Sequence, residues 1–228
     1  MLGLICVTIV MALCNDVTQA ATMYNGGDGN VHKLSVVQDV TLESPNSNYN
    51  WLQYLIVGKH PQFPKKRSLI QFESITSNQC PLHKVRWAKM YIYFQYAHKA
   101  SWHSVSQTPY ISRPIQVHRV KKSWKESEAT SSRRMNGQNW TQAYLDLNNN
   151  DAEATPQAFQ TTIYTIRPKG FVEFDVTRAV KSWVSGQPNH GLLFWATDEN
   201  VEGRDVRFAS NAEQDLAKRP FLHVMCDY

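Results

Sequence analysis

The chain contains about ten short runs of β-branched and aromatic residues, several with strict alternation, separated by polar or turn-forming stretches. Alternation with a period of two is typical of strands with one buried and one solvated face. Many short runs at this spacing favour an all-β sandwich over alternating βαβ units. We predict strands at residues 33–42, 51–57, 67–72, 85–96, 115–120, 161–166, 171–174, 191–196, 206–210 and 221–226.

The strongest alternation lies in residues 85–96, which read VRWAKMYIYFQY. One face carries Val85, Trp87, Lys89, Tyr91, Tyr93 and Gln95; the other carries Arg86, Ala88, Met90, Ile92, Phe94 and Tyr96. The second face is the more apolar from Ala88 onwards. We therefore predict that this second face, including Tyr96, lies in the core.

A single helix is predicted directly after the run at 171–174. Asp175 is a good N-cap, and Gly186 suits the helix end. An apolar stripe of one helical face follows the cap, formed by Val176, Ala179, Val180 and Trp183. The stripe favours Trp183 as a core residue of a short capping helix. The alternative is a platform on which a sugar stacks.

Residues 1–20 are predicted to be a signal peptide. An uncharged apolar stretch of about 13 residues is too short for a bilayer, which needs roughly 20, and the small residues Thr18 and Ala20 suit cleavage after Ala20. No Lys or Arg precedes this apolar stretch, which departs from the usual pattern of signal peptides. An uncleaved membrane anchor is therefore the alternative. We expect a secreted, extracellular protein without a membrane span.

Cleavage would leave Cys80 and Cys226 as the remaining cysteines. An even pair in an oxidising compartment favours one disulfide bond, and two separate buried thiols are the alternative. The eight histidines show no ligand spacing, so no metal centre is predicted from them.

The composition excludes several classes of protein. With 42% hydrophobic and 19% charged residues, the chain can bury a core, so disorder, collagen and coiled coils are excluded. The formal charge of +5 would become +6 without Asp16, since 24 basic and 18 acidic residues remain. This charge is too small to indicate nucleic acid as a partner.

The sequence contains few features that indicate an enzyme. It lacks the G-x-S-x-G, H-E-x-x-H and P-loop motifs, and Glu173 and Asp175 are not predicted to form a catalytic dyad. We expect no catalytic residues and no cofactor. An acidic loop at Asp198, Glu199, Glu202 and Asp205 leaves Ca²⁺ as an open alternative to neutralisation by Arg204 and Arg207.

Basic clusters and nearby aromatic residues favour a binding function. Carboxylated or sulfated sugars suit Lys and Arg as charge partners and rings as stacking surfaces. The candidate ligand-binding residues are Lys65, Lys66, Lys121, Lys122, Trp51 and Trp102. The alternative is that these lysines are ordinary solvated residues and the rings belong to the core.

Two further residues are assigned from their surroundings. Arg67 opens a central strand and is expected to pair with a buried carboxylate, so its role is structural. Asn139 begins the sequon Asn139-Trp140-Thr141 and is predicted to be glycosylated on the surface of a long polar loop at residues 125–156. Trp140 and Leu145 indicate that part of this loop packs.

The segment from Phe174 to Phe194, with Asp175, Trp183, Gly186, Asn189 and Gly191, closely resembles the C-terminal motif of the DNRLRE domain family, grouped with the family 96 carbohydrate-binding modules. Further similar stretches cover most of residues 39–226, although the loop after Trp124 is longer and Asn50 stands where Gly is frequent. The resemblance implies a jelly-roll-like β-sandwich and, in some members, binding of acidic polysaccharide.

These observations predict a signal peptide at 1–20, an N-terminal segment at 21–38 and one β-sandwich domain at 39–228. The predicted function is a secreted, non-catalytic module that binds extracellular, anionic polysaccharide. The alternative is a structural component of a secreted extracellular or skeletal organic matrix, in which the domain binds other matrix components.

Overall fold

The computed structural model describes residues 29–60, 62–97, 112–164, 168–201, 203 and 205–227. All ten predicted strands are present, and a small hairpin, β6–β7, is added in the long loop. The strands are β1 (Gly29–Leu42), β2 (Tyr54–Lys59), β3 (Lys65–Phe72), β4 (Val85–Ala97), β5 (Ser112–Arg119), β6 (Arg133–Met135), β7 (Gln138–Asn139), β8 (Ala158–Tyr164), β9 (Gly170–Asp175), β10 (Leu192–Ala196), β11 (Val206–Ala209) and β12 (Phe221–Asp227). One α-helix, α1 (Thr177–Val184), and two short 3₁₀ helices, Leu82–Lys84 and Leu216–Lys218, occur among the described residues.

The strands form two antiparallel layers. In the front sheet, β4 pairs with β9, β11 and β12, and β11 pairs with β2. In the back sheet, β3, β10, β5 and β8 lie side by side in that order. Strand β1 belongs to both layers, because its first half pairs with β12 and its second half with β3. The predicted all-β sandwich with one short helix is confirmed.

The main core lies between the two sheets. Its largest fully buried side chains include Phe72, Phe94, Phe174, Phe194 and Phe208. Phe194 of the back sheet lies 5.7 Å from Phe174 and 5.8 Å from Phe208 of the front sheet, measured between ring centroids. Burying a ring of this size stabilises the fold by about 1.5–3 kcal/mol. These rings therefore hold the two layers together.

The predicted inner face of β4 is confirmed from Ala88 to Phe94 and wrong at Tyr96, which is 44% exposed. The register between β4 and β11 shifts there, because Phe208 lies opposite Phe94 while Arg207 lies opposite Tyr96. Gln95 is the extra residue of this β-bulge. A bulge interrupts the alternation of side chains and re-aims the residues that follow. Tyr96 is turned to the outer face by this bulge.

The apolar stripe of α1 is buried as predicted, but the N-cap residue is Val176 and not Asp175. The Asp175 carboxylate accepts a hydrogen bond from the Thr177 backbone N–H at 2.9 Å, and Gly186 ends the turn with a φ of 99°. Trp183 is 8% exposed and packs in the main core beside Val180. The interpretation of Trp183 as a core residue is confirmed.

The predicted disulfide bond is also confirmed. The sulfur atoms of Cys80 and Cys226 are 1.97 Å apart and the Cα atoms 5.8 Å apart. The bond joins the segment before β4 to β12, the strand next to it in the front sheet. Since 146 residues separate the cysteines in sequence, the bond closes a very long loop.

A third layer covers the outer face of the back sheet. It is formed by residues 121–157, which we call the covering segment. Trp124, Trp140 and Leu145 of this segment pack against Leu69 and Leu193 of the back sheet in a second buried cluster. The Trp140 indole N–H donates to the Thr130 carbonyl at 3.0 Å, so the polar group of this buried ring is satisfied. The prediction that part of the long loop packs is confirmed.

The sheet extends beyond the predicted start of the domain. Strand β1 begins at Gly29; Gly29–Ser35 pair with β12 in the front sheet, and Val36 and Gln38 already pair with β3 of the back sheet. The predicted signal peptide, residues 1–20, lies outside the described residues. Among the residues that are described, no helix is both long and apolar enough to cross a membrane.

Candidate functional site

The outer face of the front sheet contains an open groove of about 410 Å³. Strands β2, β4 and β11 form its floor, and the loop at 210–220 and the turn before β9 form its sides. The described residues that line it are three tyrosines, three cations, one carboxylate and one amide: Tyr54, Tyr93, Tyr96, Arg207, Lys169, Lys218, Glu213 and Gln95. We call it the tyrosine groove. Three of its eight residues lie on β4, next to the bulge.

Arg207 is held between two tyrosine rings at the centre of this groove. The guanidinium carbon lies 5.0 Å from the centroid of Tyr54 and 5.8 Å from that of Tyr96. Such cation–π contacts fix the plane of the guanidinium. The nearest carboxylate contact is Asp205, 3.8 Å from Arg207 Nε, and that nitrogen has no hydrogen-bond partner. The groove therefore contains an oriented guanidinium that is only weakly neutralised.

Glu213 and Lys218 line the opposite side of the groove. Gln95 donates a hydrogen bond to the Glu213 carboxylate at 2.6 Å, and the Asp215 N–H donates to its other oxygen at 3.2 Å. The ammonium of Lys218 lies 5.7 Å from the centre of the Tyr93 ring and 2.9 Å from the Asp215 carboxylate. The hydrogen bond to Asp215 raises the pKa of Lys218, which stays charged. Both side chains are thus held in place by neighbours.

The predicted lysines on β3 have carboxylate partners inside the protein. Lys65 contacts Glu199 at 2.9 Å, and Lys66 contacts Glu43 at 3.3 Å and is itself buried. Although adjacent in sequence, the two lysines face opposite sides of the strand, as alternation requires. The structure does not bring them together at one surface.

The predicted lysines of the covering segment are likewise engaged. Lys121 is exposed and donates to the Asn149 carbonyl at 2.6 Å. Lys122 contacts the fully buried carboxylate of Asp151 at 2.8 Å and the Thr141 hydroxyl at 2.7 Å. These contacts hold the covering segment together, and they lie on the opposite layer of the molecule from the tyrosine groove.

The remaining predicted site residues have different positions. Trp51 is 69% exposed and precedes Tyr54 of the groove by three residues. Trp102 lies outside the described residues. Asn139 is exposed on the edge hairpin β6–β7, so its glycosylation stays a prediction.

The structural role predicted for Arg67 is confirmed. Its Nε and Nη2 donate to the two oxygens of Glu199 at 2.8 Å each, and its Nη1 donates to the carbonyls of Tyr144 and Leu145. Burial alone would raise the pKa of Glu199, but Arg67 and Lys65 hold it below its ordinary value. Bidentate pairing of this kind is strong and specific.

The acidic loop was the sequence-based candidate for Ca²⁺. Its Glu199 is occupied by Arg67 and Lys65, and its Asp205 lies near Arg207 at 3.8 Å; Glu202 and Arg204 lie outside the described residues. Within the described part of the chain, no three His, Cys, Asp or Glu side chains are placed to hold a metal ion.

Sequence reasoning missed most of the groove residues. Tyr93 belongs to the face of β4 that the alternation places outside the core, and this was the one available indication. Tyr54, Arg207 and Lys218 come from separate strands and loops, and their proximity depends on strand order. Tyr96 was assigned to the wrong face because of the bulge.

Comparison with known families corrects the resemblance stated above. The family model that matches is the disaggregatase related repeat domain, over residues 38–224, and not the DNRLRE domain, so the assignment to the latter family is wrong. None of the curated proteins matches the chain. Because the matched stretch runs from the middle of β1 to β12, it includes nearly the whole sandwich. The chain belongs to the disaggregatase related repeat domain family.

Proposed function

We propose that this protein is a secreted, non-catalytic module that binds an anionic extracellular polysaccharide in the tyrosine groove. The observation that carries the proposal is the guanidinium of Arg207, fixed between Tyr54 and Tyr96 in an open groove. A planar guanidinium donates two parallel hydrogen bonds to a carboxylate or sulfate. Rings on either side offer the apolar faces on which a sugar ring stacks.

The other lining residues suit the same ligand. Lys169 and Lys218 add two positive charges to that of Arg207, against the single carboxylate of Glu213. Tyrosine has an apolar body and a polar hydroxyl, so it contacts both the C–H face and the hydroxyls of a sugar. Gln95 and Glu213 supply further groups that hydrogen-bond hydroxyls. A sugar bearing an anionic group at intervals matches this mixture of rings and cations.

The lining favours binding over turnover. An acid–base mechanism needs two positioned titrating groups, and a nucleophilic one needs a nucleophile with its base. Among the described residues that line the groove there is one carboxylate, already bonded to Gln95 at 2.6 Å, and neither a histidine nor a cysteine. We therefore propose that the ligand leaves the groove unchanged.

Secretion is part of the proposal. It is supported by the apolar, uncharged start of the chain and by the disulfide between Cys80 and Cys226, a bond that persists in oxidising compartments. The sequon at Asn139 is exposed, as an acceptor of glycan must be.

The test compares binding of alginate and heparin with binding of the neutral glucan laminarin. We expect binding to the two polyanions that weakens with salt, because exposed charge contacts are screened over about 10 Å at 0.1 M and about 3 Å at 1 M. Arg207→Ala should weaken it at least tenfold, since each tenfold step corresponds to about 1.4 kcal/mol.

Arg86→Ala is the matched control. Arg86 lies at the far end of β4, with its side chain 56% exposed and 3.8 Å from Asp227. The Arg86→Ala substitution removes one positive charge, as Arg207→Ala does, and should leave polysaccharide binding unchanged. Equal losses for the two variants, with similar retention on every polyanion, would favour a structural matrix component. Release of shortened or unsaturated products from either polymer would overturn the non-catalytic assignment.

A further inference from the structure

A fixed negative charge lies among the cations of the tyrosine groove. Glu213 is the one carboxylate among the described residues of the lining. Its backbone N–H donates to the Ser210 carbonyl at 3.2 Å, and its own carbonyl accepts a hydrogen bond from Arg219 Nε at 2.8 Å. These bonds anchor the backbone of Glu213 on both sides, and its side chain is half-buried. The carboxylate therefore has a defined position at the wall of the groove.

Each carboxylate oxygen of Glu213 accepts one hydrogen bond within the protein. Gln95 donates to Oε2 at 2.6 Å, and the Asp215 backbone N–H donates to Oε1 at 3.2 Å. Because an ionised carboxylate has about two acceptor positions on each oxygen, each oxygen accepts one further hydrogen bond. Glu213 lines the groove, so a bound sugar supplies the donors. Two adjacent sugar hydroxyls match two adjacent acceptor oxygens.

An ion pair does not account for the charge of Glu213. Lys218, which belongs to the same loop, bonds instead to the Asp215 carboxylate at 2.9 Å, and no ion pair between described residues includes Glu213. A neutral glutamine at this position would accept the same hydrogen bond from the Asp215 N–H. The loop therefore needs the shape of this side chain and not its negative charge.

The same charge opposes the binding of a densely charged polyanion. Gln95, which holds Glu213, directly precedes Tyr96, and Tyr96 lies opposite Arg207 across the β4–β11 pair. In a groove of about 410 Å³, a sugar whose anionic group contacts Arg207 has its other groups near Glu213. A hydroxyl there donates a charge-assisted hydrogen bond. A second anionic group is repelled, and juxtaposed like charges suppress the wrong ligand.

We propose that Glu213 is the specificity-determining residue of the tyrosine groove: it accepts acidic sugars with free hydroxyls and repels sugars whose hydroxyls are sulfated. This inference rests on the proposed function and narrows the anionic ligand to a polyuronate. Arg207 attracts the carboxylate of the sugar, and Glu213 discriminates against further anionic groups. Specific sites commonly combine an attractive contact with a repulsive one directed against the competing ligand.

Calorimetry with an alginate hexasaccharide and its chemically O-sulfated derivative tests this inference, because the two probes differ only at the hydroxyls. The natural protein should bind the unsulfated probe more tightly, by about fivefold or more. Glu213→Gln keeps the size of the side chain and removes its charge, and Gln95 restores their hydrogen bond by turning its amide over. This variant should bind the sulfated probe more tightly than the natural protein does, and the unsulfated probe more weakly. Glu213→Ser, which requires no adjustment of Gln95, should shift the ratio of affinities in the same direction.

Glu173→Gln is the matched control. It removes one carboxylate from the same outer face, where Glu173 contacts Lys89 at 2.7 Å and is not among the lining residues of the groove. This variant should leave the ratio of the two affinities unchanged. An unchanged ratio in Glu213→Gln, or the same change in both variants, would overturn the role of Glu213; the groove would stand if Arg207→Ala still weakened both probes. Binding of neither probe by the natural protein would overturn both proposals.

Discussion

The outer faces of the two sheets differ in what lies on them. The back sheet is covered by residues 121–157, and its outward side chains join a second buried cluster with Trp124 and Trp140. The front sheet, as far as the structure describes it, has rings and cations on its outer face without such a cover. Position in the fold, and not residue type, therefore separates the aromatic residues of the buried cluster from those to which we assign binding.

Charged residues show the same division. Beneath the covering segment, Asp151 is fully buried, and burial alone would raise its pKa; hydrogen bonds from Lys122, Asp146 and Thr141 more than offset this and lower the pKa. On the front face, Arg207 lies between rings at 3.8 Å from its nearest carboxylate contact. Paired charges hold the cover in place, whereas the weakly paired Arg207 is the group that we propose a ligand contacts.

The largest expected effect on stability concerns β12, which lies between β1 and β4 in the front sheet. The disulfide between Cys80 and Cys226 restrains β12, and a closed loop of this length contributes about 4–5 kcal/mol in the chain-entropy model. We expect Cys80→Ala/Cys226→Ala to lower the free energy of unfolding by about that amount in urea denaturation. Natural protein in reductant should match the variant. Two alkylatable thiols in the native protein, detected by mass, would contradict the bond.

Loosening the contact between the covering segment and the back sheet should lower the free energy of unfolding by nearly as much. Trp140 is 4% exposed, and Trp→Ala in a core costs about 3–5 kcal/mol. Trp140→Ala should therefore lower stability strongly in chemical denaturation. Trp51→Ala is the control, since that ring is 69% exposed and should change stability by less than about 0.5 kcal/mol. Similar losses for both variants would show that the covering segment is not a stabilising layer.

Much of the fold could be predicted because alternation of apolar and polar residues is a local property of each strand. The face of β4 was correct from Ala88 to Phe94 for this reason. Tyr96 was wrong because its direction depends on the register with β11, which no residue of β4 encodes by itself. The family was also wrong, because the motif around Asp175 and Trp183 reports a helix start and a core ring.

The candidate site could not be predicted in the same way. Lys65 and Lys66 form one basic cluster in sequence, yet they lie on opposite faces of β3, and each contacts a different carboxylate. Tyr54, Arg207 and Lys218 are far apart in sequence and meet only through the order of the strands. Charge counted along the chain therefore pointed to residues that the fold neutralises.

We expect stability to depend on pH through Asp39, a buried residue that contacts the covering segment. Asp39 of β1 is 2% exposed; its carboxylate accepts a hydrogen bond from the Asn211 N–H at 2.6 Å, and its own N–H donates to Glu126 of the covering segment at 3.2 Å. Burial, with a smaller contribution from Glu126, raises the pKa of Asp39 from 3.8 to about 7. The folded state then binds a proton that the unfolded state has released.

Stability should consequently fall as pH rises from about 4 to about 7, by at most about 1.4 kcal/mol per pH unit for one proton. Above about pH 7 the Asp39 carboxyl is ionised in both the folded and the unfolded state, so its contribution to stability no longer changes with pH. Asp39→Asn should remove this part of the pH dependence and be the more stable protein at pH 8. Urea denaturation of both proteins across this range measures the difference. Parallel pH profiles would show that Asp39 titrates normally.

The smallest effect on stability, and the sharpest test of the comparison, comes from two matched pairs of lysines. Lys169→Ser/Lys218→Ser removes two charges from the tyrosine groove, and Lys121→Ser/Lys125→Ser removes two from the covering segment. Each pair includes one exposed salt bridge at i,i+3, Lys218–Asp215 and Lys125–Glu128. Exposed bridges contribute about 0–1 kcal/mol, so both variants should fold normally.

Retention on an alginate column separates the two faces, because net charge changes equally in both variants. The groove variant should elute at lower salt than the natural protein, and the covering-segment variant should elute close to it. Equal shifts would mean that retention follows total charge and that neither face is a specific site. A larger shift for the covering-segment variant would return the site to the lysines around Lys121, where the sequence alone had placed it.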